Sequence, residues 1–260
     1  MKTDGARDSR GKVVAVIPAR MGSSRFFGKP LAPILGRPMI EHVYRRTRMC
    51  DVLDEVYVAT CDAEIRTVAE GFGAAAVMTS DKHQRASDRV AEVALSMPDV
   101  DIFVLVQGDE PMVRPEMVEI ALGPLLRDPS VVCANLSARI RSPEEFEDRN
   151  TIKVVVDRRG DALYFSREPI PTRHRCSLEE LPVAKQVCII PFRRQFLLDF
   201  AALEPTPLEI VESIDMLRAL EHGYAIRMVE SAYLTYSVDT PQDLVRVEAM
   251  MRDDPLAKRY

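Results

Sequence analysis

Short apolar runs alternate with amphipathic stretches through the first half of the chain. Val13–Pro18, Glu55–Ala59, Ala75–Met78 and Ile102–Val106 are of strand length and rich in Val, Ile and Ala. Between them, Pro38–Arg48, Ala63–Glu70 and Ala86–Ser96 carry apolar residues at helical spacing. This is the rhythm of crossover units on a mainly parallel sheet, so the pattern predicts a doubly wound α/β fold of the nucleotide-binding kind.

After residue 110 the rhythm changes. A helix is predicted at Pro115–Leu126, followed by strands at Val131–Arg139, Lys153–Val156, Gly160–Phe165 and Gln186–Ile190. Asp157-Arg158-Arg159-Gly160 lies between two of these runs and predicts a hairpin turn. Helices return at Arg193–Ala202, Pro207–Glu221 and Pro241–Met251, with a strand at Ile226–Val229. The expected organisation is a short disordered tail over 1–12, then one domain over 13–260 that carries a smaller β-rich lobe at about 131–192.

Composition narrows the chemistry. A chain of 260 residues buries enough area for a self-sufficient core. Its 40 acidic and 35 basic side chains leave a net charge of −5, so no global positive field is available to hold a nucleic-acid backbone. The cysteines at 50, 61, 133, 176 and 188 form no CxxC pair and have no zinc-site spacing, which reads as free thiols in a reducing cytoplasm. No apolar run reaches membrane-span length, and Val13–Ala19 runs into Arg20 without a signal-cleavage pattern, so the expected location is cytoplasmic with no membrane partner.

The first strand opens into Pro18-Ala19-Arg20-Met21-Gly22-Ser23-Ser24-Arg25-Phe26-Phe27-Gly28-Lys29-Pro30, a loop with cations and hydroxyls and no acid. Ligands of open α/β sheets bind beyond the carboxyl ends of the strands, so this loop is a candidate triphosphate site. Glycines let backbone N–H groups approach phosphate, and Arg and Lys neutralise charge moving toward a leaving pyrophosphate. A P-loop is the rival reading, and the loop departs from it: five residues rather than four separate Gly22 from Gly28, and Lys29 is followed by Pro30 instead of a hydroxyl residue.

The fourth strand ends in Gln107-Gly108-Asp109-Glu110, which places an acid where it can hold a hard cation through oxygen. Asp239, in Val238-Asp239-Thr240-Pro241, is either a second such acid or the N-cap of the helix that follows. Gln84-Arg85-Ala86-Ser87-Asp88-Arg89 enters a helix with a cation in its first turn, where the helix dipole disfavours it, hinting at an anionic or polar contact. Lys153 and Arg167 are isolated cations at strand ends, which read equally as surface charges or as ligands.

Taken together, VIPARMGSSRFFGKPL, VQGDEP, NTIKVVVD, ALYFSR and VDTPQDL occur in one order across nearly the whole chain. In this the sequence resembles the 3-deoxy-manno-octulosonate cytidylyltransferase family, also called CMP-Kdo synthetases. The resemblance implies a nucleotidyltransferase fold with a β-rich lobe, a homodimer, and transfer of CMP from CTP to a sugar acid with Mg²⁺ and release of pyrophosphate. It further implies that Arg20, Ser23 or Ser24, and Lys29 hold the triphosphate, with Ala19, Gln84, Arg89 and Gln107 also contacting the nucleotide. Asp109 and Asp239 match the metal-binding aspartates of the family, so the expected catalytic set is Lys29, Asp109, Asp239 and Arg20. The expected acceptor residues are Arg85, Lys153, Arg167, Gln186 and Asp215.

The sequence departs from the family where the acceptor is recognised. The RHxGIYGYR segment is here Lys185–Arg193, with Gln186 for histidine, Cys188 for glycine and Ile190 for tyrosine. The LExLEQLR segment is Val211–Arg218, with Met216 for glutamine, and SGTER is Arg85–Arg89. Losing hydrogen-bonding groups removes partners of sugar hydroxyls, while Arg85, Arg173, His174 and Arg175 favour negative charge. The acceptor is therefore expected to be small and acidic, either a Kdo-like sugar acid or a phosphonate such as phosphonoformate. Transfer of another nucleotide such as UMP, and a non-catalytic nucleotide-binding regulator, are the alternatives.

Overall fold

Val13–Ala19 is a run of seven residues with no side chain that requires water, and all seven are buried as strand β1. The computed structural model describes residues 11–22 and 25–260, so most of the expected tail over 1–12, and Ser23 and Ser24, lie outside the described residues. After β1 come a two-strand hairpin, β2 (Pro33–Ile34) and β3 (Arg37–Pro38), then α1 (Met39–Arg48), β4 (Glu55–Thr60), α2 (Ala63–Gly71), β5 (Ala75–Met78), α3 (Ala86–Leu95), β6 (Ile102–Val106) and α4 (Pro115–Arg127). Strands β6, β1, β4 and β5 pair side by side, all parallel. β6 is buried along its whole length like β1, as the apolar runs require of strands covered on both faces. Each fully buried Val or Ile side chain contributes about 1.5–3 kcal/mol.

The second stretch contains β7 (Ala134–Arg139), α5 (Pro143–Glu147), β8 (Lys153–Val156), β9 (Ala162–Ser166), β10 (Ala184–Val187), β11 (Ile189–Arg193), α6 (Arg194–Ala202), α7 (Pro207–Glu212), α8 (Met216–Glu221) and β12 (Arg227–Ser231). Its sheet has the order β12-β7-β10-β8-β9, with β12 parallel to β7 and the other pairs antiparallel. The chain then ends with α9 (Pro241–Met251) and a 3₁₀ turn. Two compact units result, one of Met1–Glu119 with Thr235–Tyr260, the other of Ile120–Leu234. The fold is the expected α/β class with a second, separate sheet of five strands.

Three elements differ from expectation. The helix expected over Pro207–Glu221 is broken at Ser213, whose φ of 55° is left-handed. Glu212 is the last helical residue before this break, and its carboxylate accepts from Tyr164 Oη at 3.2 Å, Ser166 Oγ at 2.9 Å and the Arg167 amide at 2.8 Å. The strand expected over Gln186–Ile190 is two strands that part at Cys188, and the regular part of Val131–Arg139 begins only at Ala134. The Asp157–Gly160 turn is present: Gly160 takes a φ of 83° and its N–H donates to Asp157 O at 3.0 Å between antiparallel β8 and β9.

Helix α1 buries Met39, Ile40, His42, Val43, Arg46 and Thr47. His42 Nε2 lies 2.8 Å from Ile34 O and Nδ1 lies 2.8 Å from Tyr260 Oη. A carbonyl only accepts, so the network assigns the proton to Nε2 and leaves Nδ1 to accept from the tyrosine hydroxyl, whose oxygen accepts from Arg46 Nε at 2.8 Å. Burial first, then the nearby Arg46 charge, holds His42 below its ordinary pKa of 6.5 despite the Ile34 bond. The unfolded imidazole thus binds a proton that the folded one refuses, and stability falls as pH drops below about 6.5. The loss of thermal midpoint between neutral pH and about pH 5.5 should be smaller in His42→Gln than in the parent, and an identical loss in both would refute this account.

Candidate active site

The site is built where β1 and β6 end together. Beyond β6 the chain turns at Gly108, where an added Cβ would lie 2.7 Å from Pro18 O, so only glycine lets the two strand exits run so close. Asp109 follows, and its carbonyl accepts from Val238 N at 2.9 Å, which lays the segment before α9 alongside it. The N-cap of α9 is Thr240, in a capping box with Asp243. Asp243 also accepts the Asp239 amide at 3.2 Å, and the Asp239 carboxylate is thereby left for the site rather than for the helix.

From the other side, Gly28 adopts a φ of 71° and its N–H donates to Met21 O at 3.0 Å. Lys29 then projects Nζ to 2.7 Å from Asp109 Oδ2 and 3.4 Å from Asp239 Oδ1. Arg25 Nη2 donates to the same Asp239 oxygen at 2.9 Å. These side chains are largely buried, at 12, 16 and 17% exposure for Lys29, Asp109 and Asp239, while Arg25 is half exposed. Burial opposes the Lys29 charge, but Asp109 and Asp239 together outweigh it and raise its pKa above the usual value. Burial also raises the Asp109 carboxyl, against the pull of Lys29, and the like charge of Asp239 adds to the rise.

Asp109 and Asp239 bring two carboxylates, and so hard oxygen donors, to one place, their charge balanced by Lys29 and Arg25. A small divalent cation that is bound through one or two carboxylates and completes its shell with phosphate oxygens and waters fits this donor set. Among the described residues no group of three or more His, Cys, Asp or Glu side chains is placed to hold a metal, so most of the shell would come from ligand oxygens.

Of the other expected nucleotide residues, Ala19 is the buried last residue of β1, Arg20 and Gln84 are exposed, and Gln107 is half-buried just past β6. Arg85 stands at the N-cap of α3. Arg89 is 3% exposed and donates to Thr79 Oγ1, to Ser80 O at 3.1 Å and to Cys61 Sγ at 3.6 Å, so its first-turn position is explained by tying α3 to the exits of β4 and β5. Arg25 was absent from the expected site set. The signal was its place in the basic loop, but spacing alone did not show which of those cations meets Asp239.

The expected acceptor residues in the second unit have defined partners there. Lys153 is fully buried, and Nζ donates to Asp148 O at 2.9 Å, Thr151 O at 2.7 Å and Arg167 O at 2.6 Å. An ammonium has three protons, and all are used, so Lys153 has none left for an acceptor. Burial lowers its pKa, with Asp148 the first of the acids opposing the shift. The Arg167 guanidinium donates to the carbonyls of Glu212 at 2.6 Å, Arg149 at 3.0 Å and Ser213 at 3.4 Å, which fixes its plane while leaving it half exposed. Gln186 Nε2 donates to Asn135 Oδ1 at 2.6 Å, and Asp215 is half-buried at the start of α8. Of the departures from the family pattern, Ile190 and Met216 are 2% and 0% exposed, which makes them packing positions.

Residues 14–229 match the profile of the family described as cytidylyltransferase. The chain is 47% identical over 247 residues to a protein of Syntrophotalea carbinolica named 3-deoxy-manno-octulosonate cytidylyltransferase, covering 92% of this chain and 98% of that one. A protein of the same name from an Anaeromyxobacter species is 46% identical over 245 residues, covering 94% and 98%. Among solved structures, a CMP:2-keto-3-deoxy-manno-octonic acid synthetase complexed with CTP superposes with a TM-score of 0.86 at 42% identity, covering 93% of this chain and 98% of that one.

Proposed function

This chain belongs to the cytidylyltransferase family, and we propose that it transfers CMP from CTP to 3-deoxy-manno-octulosonate, the acceptor for which its relatives are named. The observation that carries this reading is the convergence of Asp109 and Asp239 on Lys29 at the carboxyl ends of β1 and β6. In the reaction an acceptor oxygen forms a bond to the α-phosphorus of CTP while the bond to pyrophosphate breaks. Such transfer needs in-line positioning and cations near the phosphate oxygens, and no protein nucleophile. Lys29 and Arg25 supply fixed positive charge on one side of the site, and Arg20 stands exposed at the β1 exit to meet a triphosphate from solvent. Asp109 and Asp239 would hold Mg²⁺, whose chemistry is to draw charge off the phosphate oxygens.

The sugar acid is favoured over a phosphonate on two grounds. The relatives reported above are named for the sugar acid, and Ile190 and Met216 lie in packed interior, so their apolar character does not argue for an acceptor without hydroxyls. A second copy of the chain is the partner we infer for the exposed apolar residues Leu163, Ile210 and Val211, at 62, 64 and 82% exposure. The test is pyrophosphate release with CTP and Mg²⁺, run with 3-deoxy-manno-octulosonate and with phosphonoformate, with UTP as a nucleotide control and sedimentation for the dimer. Turnover with CTP and the sugar acid is expected. Turnover with phosphonoformate alone would overturn the acceptor, a preference for UTP would overturn the nucleotide, and a monomer at micromolar concentration would overturn the dimer.

A further inference from the structure

The parallel register pairs Ala19 of β1 with Thr60 of β4, so the chains leaving these strands emerge side by side. Two residues beyond each, Met21 N donates to Asp62 Oδ2 at 2.8 Å. Asp62 is also the N-cap residue of α2, with extended dihedrals of −105° and 119° and the side-chain type most favoured for capping. Its carboxylate nevertheless makes no bond to its own helix. The acceptor that the sequence supplies for α2 is given instead to an amide across the chain.

Met21 is the link through which this matters. Its N–H is held by Asp62 and its C=O accepts from Gly28 N at 3.0 Å, and Gly28 immediately precedes Lys29. Asp62 therefore anchors Met21, Met21 anchors Gly28, and Gly28 in its left-handed conformation directs Lys29 onto Asp109 and Asp239. Arg20 is flanked by the buried end of β1 and by the anchored Met21, so its backbone is fixed on both sides. The Asp62 carboxylate is engaged by the amide and by the Cys61 thiol at 3.6 Å.

We propose that Asp62 is a positioning residue for the nucleotide-binding segment, which gives up the cap of α2 to hold Arg20 and Lys29 in place before the triphosphate arrives. The proposal rests on the functional reading above in taking that segment to bind CTP. Preorganisation of this kind is expressed in ligand affinity, because backbone that is not anchored beforehand must be ordered on binding.

The experiment compares Asp62→Ser and Asp62→Asn with the parent, reading CTP affinity by calorimetry with Mg²⁺, thermal midpoint, and steady-state constants for both substrates. Serine caps α2 well but is too short to reach Met21, whereas asparagine keeps an acceptor oxygen at the same distance. Asp62→Ser should keep or raise the thermal midpoint while weakening CTP binding about 10-fold, with the acceptor KM little changed, and Asp62→Asn should recover most of the affinity. Unchanged CTP affinity in Asp62→Ser would overturn the proposal, as would a loss of affinity that tracks a lowered thermal midpoint in both variants. A parent that binds CTP but does not turn over the sugar acid would fail the acceptor assignment alone. A parent that does not bind CTP would overturn both.

Discussion

Replacing Asp109 with Asn should lower kcat by about a thousandfold, the scale on which one preorganised electrostatic group acts on charge developing in a transition state. The substitution keeps the shape of the side chain and removes its charge. It takes away the shorter of the two contacts to Lys29, 2.7 Å against 3.4 Å to Asp239, and halves the carboxylate set that could hold a cation. The fold should survive. Burial raises the Asp109 carboxyl, so its ionised form is held at a cost that Asn does not incur, while Lys29 loses its nearer partner. These opposing effects should leave the thermal midpoint within a few degrees of the parent, as is common where a site is kept strained for function. Turnover near the parent level would show that the convergence at Lys29 is structural, and a nucleotide-binding regulator would keep its function unchanged by the same substitution.

Replacing Lys153 with Met should destabilise the protein by about 3 kcal/mol, with three carbonyls losing a charged donor in a dry interior. Denaturant unfolding measures this directly. The ammonium clasps the carbonyls of Asp148, Thr151 and Arg167, so its loss loosens the turn before β8 from the end of β9. The same position read as an acceptor contact predicts a different result, a raised acceptor KM at unchanged stability. A variant of parental stability and impaired acceptor binding would therefore favour the acceptor reading over the structural one.

The comparison of Lys153 with Lys29 shows where sequence reasoning stops. Both are lysines near strand ends, in segments whose pattern resembles the same family. One meets two carboxylates at the mouth of the sheet, and the other meets three backbone carbonyls in the interior. Nothing in the local spacing separates an ion pair from a clasp of carbonyls, because carbonyl oxygens are present at every residue and leave no mark in the sequence.

What the sequence determined by itself was the alternation of apolar runs and amphipathic stretches, and with it the mainly parallel α/β class and the candidate loop beyond β1, whereas the β6-β1-β4-β5 order came from the structure. Those sequence features follow from periodicity and from the need of a wholly apolar strand for cover on both faces. The tertiary structure alone decided that Asp239 leaves capping to Thr240 and joins Asp109, that Asp62 holds Met21 instead of its own helix, and that Glu212, the last residue of α7, accepts from Tyr164, Ser166 and Arg167. In each case a local rule offered a side chain one partner, and a residue brought close by the fold took it. Local patterns record what a segment can do with its own neighbours in sequence, whereas hydrogen bonds and charges answer to neighbours in space.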